Sequence, residues 1–287
     1  MPLVERAPAK INLGLHVLRT RPDGYHDVET VLHRIDWADT ITARPADTLS
    51  MTCSDPALPT DRENLCMQAA HRLADAFDVG AGAALHLEKR VPYGAGLGGG
   101  SSDAAATLRL LSRLWDLNPT PDALHDIAGQ IGADVPFFLG EAPAAYATGR
   151  GDDLTPLRHE GRPYRLPYPV LVVMPSVRVA TPEAYARVTP DDTNRPNLPS
   201  LLRTNDLARW RSALVNDFEA PIVEHHPELR AVRTWLRQSG ADYVSLSGSG
   251  GAVYGLFAET AQAVRARGAD RPEQMHLTLP KTADGGR

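Results

Sequence analysis

The chain has 287 residues, more than one minimal core requires, and its hydrophobic share of 43% and charged share of 23% are those of a globular protein rather than a disordered one. A net charge of −5 provides no global positive field, which excludes a protein built to hold nucleic acid or an anionic membrane, so any anionic ligand must be met by local positive features. The two cysteines, Cys53 and Cys66, show neither CxxC nor metal-type spacing, which argues against a disulfide framework and fits a cytoplasmic location.

The opening MPLVERAPAK lacks the apolar core of a signal peptide. Residues 9–18 alternate through Ile11, Leu13, Leu15 and Val17 and predict a half-buried strand. Arg21-Pro22-Asp23-Gly24 forms a turn cluster, after which 28–35, 39–44 and 49–53 read as strands. Residues 64–78 place Leu65, Ala69, Leu73 and Phe77 on one helical stripe, and 83–91 alternate again as a strand with one wet face.

A glycine-rich loop over 94–100 leads into a predicted helix over 102–117, with Ala105, Leu108, Leu111 and Leu114 or Trp115 on one face. Thr120-Pro121-Asp122 starts another helix and Gly132 stops it. A strand follows at 144–148. The polar, Pro- and Arg-rich stretch 157–168 marks a boundary between an N-terminal domain, 1–157, and a C-terminal domain, 158–287.

The second half opens on 167–175, the longest apolar run, far too short for the roughly 20 residues that span a bilayer and therefore read as a buried strand. Then come a helix opened by Thr181-Pro182, a polar loop over 189–200, and further helices, the clearest over 227–238 and closed by Gly240. Residues 243–256 read as two strands hinged on 248–251, and 282–287 as a disordered tail. Antiparallel strands with grouped helices, rather than a regular βαβ series, predict an α+β fold.

The chemistry is concentrated in Val91-Pro92-Tyr93-Gly94-Ala95-Gly96-Leu97-Gly98-Gly99-Gly100-Ser101-Ser102-Asp103. Five of the seven residues 94–100 are glycine, which leaves main-chain N–H groups free to converge on an anion. The following helix aims its positive end at the same place, a site suited to phosphate. Ser101 and Ser102 add hydroxyls for a phosphate oxygen or Mg²⁺, and Asp103 reads as an N-cap. A Walker A loop would end in Gly-Lys-Ser/Thr, and no lysine is present. The GxGxxG at Gly94, Gly96 and Gly99 is not a dinucleotide fingerprint either. Its preceding strand carries His86, Glu88, Lys89 and Arg90, and no strand-ending acid follows about 20 residues on.

These residues resemble the second motif of the GHMP kinases. Pro8-Ala9-Lys10-Ile11-Asn12-Leu13 resembles their first motif and Ser247-Gly248-Ser249-Gly250 their third. Arg21-Pro22-Asp23-Gly24-Tyr25-His26, the extra glycine before Ser101, and Gly132-Ala133-Asp134-Val135-Pro136-Phe137 are most similar to the branch whose substrate carries a cytidyl group. The resemblance runs from about residue 7 to Phe257. It implies a two-domain GHMP kinase fold: an N-terminal domain like domain 2 of ribosomal protein S5 and an α+β C-terminal domain. It also implies ATP with Mg²⁺ acting on a cytidine diphosphate sugar-alcohol, in a cytoplasmic enzyme of isoprenoid synthesis, with monomer and homodimer both open.

Phosphoryl transfer is mostly positioning and charge stabilisation, and the acceptor hydroxyl must lose a proton, so a carboxylate is expected beside it. Asp134 lies between Gly132 and Pro136, which is expected to hold Val135 extended, and would equally suit a turn or capping aspartate. A cation such as Lys10 beside it would keep it ionised. Asn12 shares the strand face of Lys10 and could bind a substrate hydroxyl or Asp134. By resemblance, Lys10 and Asp134 match the family's catalytic pair. Tyr25 and His26 match the residues that recognise cytosine, and Tyr185 after Thr181-Pro182 matches the aromatic that closes the other face. Asn64 and Leu65 resemble residues lining an adenine pocket, although Asn64 is equally a good N-cap. Lys89 is similar to a residue near the nucleotide, in a nucleotide site that also takes in Pro92, Gly94, Gly96, Leu97, Gly98, Gly99, Gly100, Ser101 and Ser102. Ser249 and Gly250 are expected to approach the substrate's diphosphate through main-chain N–H groups, or else to form an ordinary glycine hairpin.

The ten histidines show no ligand spacing, and His225-His226 would face apart on a helix, so no protein metal site is expected. Another GHMP kinase with a different alcohol, and a nucleotide-binding regulator of the same fold, are the competing readings.

Overall fold

The computed structural model of the chain describes residues 2–281. The tail read as disordered, 282–287, lies outside the described residues. The strands are β1 (Leu3–Thr20), β2 (His26–Ala46), β3 (Ser50–Cys53), β4 (Gly82–Glu88), β5 (Ala144–Thr148), β6 (Asp153–Pro156), β7 (Arg158–His159), β8 (Arg162–Pro163), β9 (Val170–Met174), β10 (Tyr243–Leu246), β11 (Val253–Leu256) and β12 (Gln274–Thr278). The helices are α1 (Leu65–Ala76), α2 (Gly99–Leu114), α3 (Pro121–Ile131), α4 (Val135–Leu139), α5 (Thr181–Arg187), α6 (Leu198–Arg203), α7 (Leu207–Ala213), α8 (Glu219–His225), α9 (Pro227–Gln238) and α10 (Thr260–Arg267). The fold is α+β, with almost entirely antiparallel sheets.

Two compact units interleave along the chain. One takes the chain up to Ala9, Trp37–Tyr93 and Gly98–Glu141. The other takes Lys10–Asp36, Gly94–Leu97 and the described residues from Ala142 on.

In the first unit, the later part of β2 pairs antiparallel with β4, Ile41 opposite Leu87, and β4 pairs parallel with β3, Met51 opposite Leu85. Helices α1, α2, α3 and α4 pack on one another. The small residues Ala104, Ala105 and Ala106 of α2 are fully buried, so the backbone of this helix lies deep in the unit. Asn64 caps α1 by accepting from the Cys66 N–H, and Thr120 caps α3 by accepting from the Ala123 N–H.

In the second unit, the early part of β2 pairs with β5, Thr30 opposite Ala147, and β5 pairs with β6. A second antiparallel sheet runs β10-β11-β9-β12. The 167–175 run thus supplies β9, a buried strand as expected. The core of this unit gathers Leu15 and Val17 of β1, Phe218 just before α8, Leu229, Val232 and Leu236 of α9, and Val253 of β11. Each such side chain contributes about 1.5–3 kcal/mol on leaving water.

Several sequence expectations change. The strands expected at 28–35 and 39–44 are one strand, because Ile35, Trp37 and Asp39 continue the buried alternation across residues 36–38. Strand β4 ends at Glu88, because the N–H groups of Arg90 and Val91 bond to the Asp39 carboxylate instead of a ladder. Val135 is not extended: it opens α4, with Pro136 in the first turn, where its missing N–H costs nothing. Asp103 is not an N-cap. Helix α2 begins earlier, inside the glycine loop, and Asp103 sits buried within it.

Among the described residues, no helix is long and apolar enough to cross a membrane. Cys53 and Cys66 are both free thiols.

Candidate active site

In the first unit the chain turns from loop into helix at Gly98, the N-cap of α2, which adopts the left-handed conformation with φ 67° and ψ 17°. A side chain there would be strained. The first intrahelical bond runs from the Ser102 N–H to the Gly98 carbonyl at 2.9 Å. Helix geometry therefore leaves the N–H groups of Gly99, Gly100 and Ser101 without an intrahelical acceptor, at the positive end of a 16-residue helix. The N-cap, a glycine, offers no side chain to cap them. Gly100 lies against Leu65, for a methyl there would stand 3.3 Å from Leu65 Cδ1. Pro92 and Ser101 are half-buried, while Ser102 is fully buried and its hydroxyl has no hydrogen-bond partner among the described residues.

Lys89 is nearly enclosed. Its ammonium donates to Asp39 at 2.6 Å and to Asp103 at 2.8 Å. Burial lowers its pKa, but Asp103 and Asp39 outweigh burial and the net shift is upward. The Asp103 carboxyl is pushed up, first by burial and then by Asp39, against the pull of Lys89. Asp134, half-buried, precedes α4 at the N-cap position, yet its side chain makes no capping bond. The alternative of a capping aspartate is therefore set aside.

In the second unit a polar relay starts at Lys10, which is 4% exposed. Lys10 Nζ donates to Asn12 Oδ1 at 2.6 Å, Asn12 Nδ2 to Thr30 Oγ1 at 2.9 Å, and the Thr30 hydroxyl to the Gly14 carbonyl at 2.6 Å. The shared strand face expected of Lys10 and Asn12 is present. The Asn12 main chain is bracketed too: its N–H donates to Ser247 Oγ at 3.3 Å and its carbonyl accepts from the Tyr254 hydroxyl at 2.8 Å.

The third glycine motif, between β10 and β11, docks on residues 94–97. Ser247 Oγ donates to the Gly96 carbonyl at 2.7 Å and the Ala252 N–H to the Ala95 carbonyl at 3.0 Å. A Cβ on Gly250 would collide with the Ala95–Gly96 peptide. Ser249 Oγ donates to Thr181 Oγ1 at 3.3 Å, joining two residues singled out in the sequence.

The aromatic residues of this unit also meet. His26 and Tyr185 stack, and Tyr185 leans edge-on against Phe218. Tyr25 is 60% exposed, with the Arg150 guanidinium 5.5 Å above its ring centroid. The turn before it is pinned by Asp27, which accepts from Arg19 at 2.6 Å and Arg21 at 2.7 Å. Those two guanidiniums hold the Asp27 carboxyl below its usual range.

Sequence reasoning missed Thr30, Asp39, Ser247 as a hydroxyl, and Asn216. Asn216 Nδ2 donates to the carbonyls of Leu246 at 3.0 Å and Gly248 at 2.9 Å, holding the third motif in place. An asparagine just before α8, with its carbonyl partners 30 and 32 residues further on, carries no local signal of such a role.

Comparison with known proteins follows the same pattern. The model of the GHMP kinases N terminal domain matches residues 64–141, and that of the GHMP kinases C terminal matches 198–272. The chain is 67% identical over 279 residues to a 4-diphosphocytidyl-2-C-methyl-D-erythritol kinase of Salinibacter ruber, covering 97% of this chain and 98% of the relative. It is 49% identical over 265 residues to the protein of that name in Chlorobium chlorochromatii, covering 91% and 90%. A crystal structure of 4-(cytidine 5'-diphospho)-2C-methyl-D-erythritol kinase is similar with a TM-score of 0.79 at 35% identity, over 98% of this chain and 100% of that one. A crystal structure of mevalonate kinase, 14% identical with a TM-score of 0.72 over 97% and 99%, shares the fold.

Proposed function

The chain belongs to the GHMP kinase family, and from that premise we propose that it transfers the γ-phosphoryl group of ATP to the 2-hydroxyl of 4-diphosphocytidyl-2-C-methyl-D-erythritol. The products are the 2-phosphate and ADP, in the non-mevalonate route to isoprenoids. The observation that carries the choice of substrate is the His26–Tyr185 ring pair beside an exposed Tyr25, a base-stacking surface that galactose, homoserine or mevalonate would not need.

In this reading the open N–H groups of Gly99, Gly100 and Ser101 bind phosphate oxygens, while Asn64 and Leu65 border the adenine. The 2-hydroxyl oxygen attacks the γ-phosphorus. A bond from phosphorus to that oxygen forms as the bond to the ADP oxygen breaks, and the hydroxyl proton passes to the Asp134 carboxylate. Lys10, already desolvated and oriented by Asn12, stabilises the charge developing on the attacking oxygen. Tyr25, His26 and Tyr185 take the cytosine, and Thr181, Ser249 and Gly250 face the diphosphate.

Mg²⁺ enters this proposal with the nucleotide. Among the described residues no group of three or more His, Cys, Asp or Glu side chains is arranged to hold a metal, and Ser102 Oγ is fully buried. The ion would therefore be held chiefly by phosphates and water, with Ser101 the hydroxyl this chain offers, and it would neutralise phosphate charge. The matched family segments, 64–141 and 198–272, fall on either side of residue 157 and support the sequence division into 1–157 and 158–287, although the compact units themselves interleave. A cytoplasmic location, as monomer or homodimer, completes the proposal.

The test is turnover. Purified protein with ATP and the cytidyl alcohol should give ADP and a new phosphomonoester signal in ³¹P NMR. Transfer to mevalonate or homoserine instead would assign another alcohol, and no transfer to any of them would favour a nucleotide-binding regulator.

A further inference from the structure

A buried charged trio lies beneath the start of α2, and no step of the reaction above uses it. Lys89 Nζ bridges Asp39 Oδ2 and Asp103 Oδ2 at 2.6 and 2.8 Å, with the Lys89 and Asp103 side chains 4% exposed and that of Asp39 fully buried. The other oxygen of Asp39 accepts the N–H groups of Arg90 at 2.5 Å and Val91 at 2.8 Å. Those residues carry the chain out of β4 and toward the glycine loop. On the far side of the loop, a methyl on Gly99 would stand 3.1 Å from Lys89 Nζ, so the ammonium sits directly under the first residue of α2.

Stability does not account for this arrangement. Taking one ammonium and two carboxylates out of water costs several kcal/mol per ion, and apolar side chains of the same volume would hold the unit at least as well. Charged hydrogen bonds supply fixed direction and distance, which apolar contacts do not. Here they fasten the strand that enters the loop to the helix that leaves it. We propose that Asp39 is a positioning residue for nucleotide binding: through the Arg90 and Val91 amides and through Lys89, which lies under Gly99, it sets where the open N–H groups of Gly99 to Ser101 stand. The proposal rests on the reading that these amides take the phosphates of ATP.

The three charged residues are not equivalent. Asp39 makes three hydrogen bonds. In Asp39→Asn the side-chain NH₂ must face either the Lys89 ammonium or two main-chain N–H donors, and each choice sets donor against donor. Among the described residues Asp103 accepts from Lys89 through one oxygen, and its Oδ1 is buried without a hydrogen bond. Burial and the Asp39 carboxylate both oppose its charge. An asparagine at 103 keeps the acceptor for Lys89 and relieves that repulsion.

The experiment is calorimetric titration of Asp39→Asn and Asp103→Asn with a non-hydrolysable ATP analogue, alongside steady-state kinetics. Asp39→Asn is expected to weaken analogue binding, and raise KM for ATP, about tenfold or more, as misplaced binding groups do, with KM for the alcohol within about twofold. Asp103→Asn is expected to stay within about threefold for both. If Asp39→Asn does not fold, Lys89→Arg in the Asp103→Asn background keeps that background's charge, one cation against one carboxylate, but not the bridging geometry, and the same selective loss for ATP relative to Asp103→Asn is expected. Analogue affinity unchanged in the folded variant, or equal losses for nucleotide and alcohol, would overturn the proposal. Titration of the unaltered protein needs no acceptor: if it fails to bind the analogue, the ATP reading itself falls, a result separate from a variant that binds normally.

Discussion

His26 and Tyr185 lie ring on ring, centroids 4.7 Å apart and planes 27° from parallel, although one follows the first hairpin turn and the other lies in α5. Phe218 supports Tyr185 from another side, its ring 4.8 Å away at 79°. The plate is thus assembled before any ligand arrives, and a base that stacks on it need not bring these rings together. Tyr185→Ala should raise KM for the cytidyl alcohol by roughly 10- to 100-fold, in line with about 1–3 kcal/mol for base–aromatic stacking, and leave KM for ATP unchanged. Tyr185→Phe should behave as the unaltered protein. Equal KM values for the alcohol across all three proteins would remove Tyr185 from base recognition.

Asp134 stands at the start of α4 without capping it, so a change there loses no capping bond. Asp134→Asn keeps the shape and removes the proton acceptor. The expected result is a fall in kcat of about 10²-fold or more with both KM values little altered, since general-base catalysis contributes about 10²- to 10⁴-fold. A loss below tenfold would show that another group takes the proton.

What the sequence disclosed depended on how local the cause is. The glycine loop, the helix after it and the capped starts of α1 and α3 were legible, because each is set by residues within a turn or two of one another. The role of Asp39 was not. The sequence places it at the start of a strand, but its burial is set by Lys89 and the Arg90 and Val91 amides, some 50 residues away. The same holds for Asn216, whose amide serves carbonyls at Leu246 and Gly248. Strand β12 also escaped notice: Met275 and Leu277 do alternate with polar residues, but over only five residues, and the strand is held by pairing with β9.

Two glycines of the loop separate conformational strain from packing. Gly94 and Gly96 both have positive φ, 68° and 79°. A methyl on Gly94 would meet nothing within 4 Å, whereas one on Gly96 would run into the Ser247 carbonyl. Gly94→Ala should cost only the left-handed penalty of about 1–2 kcal/mol. Gly96→Ala should cost distinctly more and force apart the Ser247–Gly96 contact that docks the third motif, abolishing most activity. Thermal melts and turnover of the two variants check this, and equal behaviour would mean that the docking is dispensable.

His33 sets the response to acid in a definable window. Its Nε2 accepts the Leu166 N–H at 2.9 Å, and burial lowers its pKa to about 4, with nearby Arg165 acting in the same direction. The unfolded chain, with an ordinary value near 6.5, takes up the proton first. The contribution is therefore full above about pH 6.5 and is lost as pH falls toward 4, by on the order of 2–3 kcal/mol. His33→Gln keeps an acceptor near the Nε2 position but cannot titrate. Chemical denaturation from pH 7 to 4 should show the unaltered protein losing stability faster than this variant. Parallel curves would mean that the imidazole takes up its proton at the same pH folded and unfolded, and that the Leu166 bond does not depend on its being neutral.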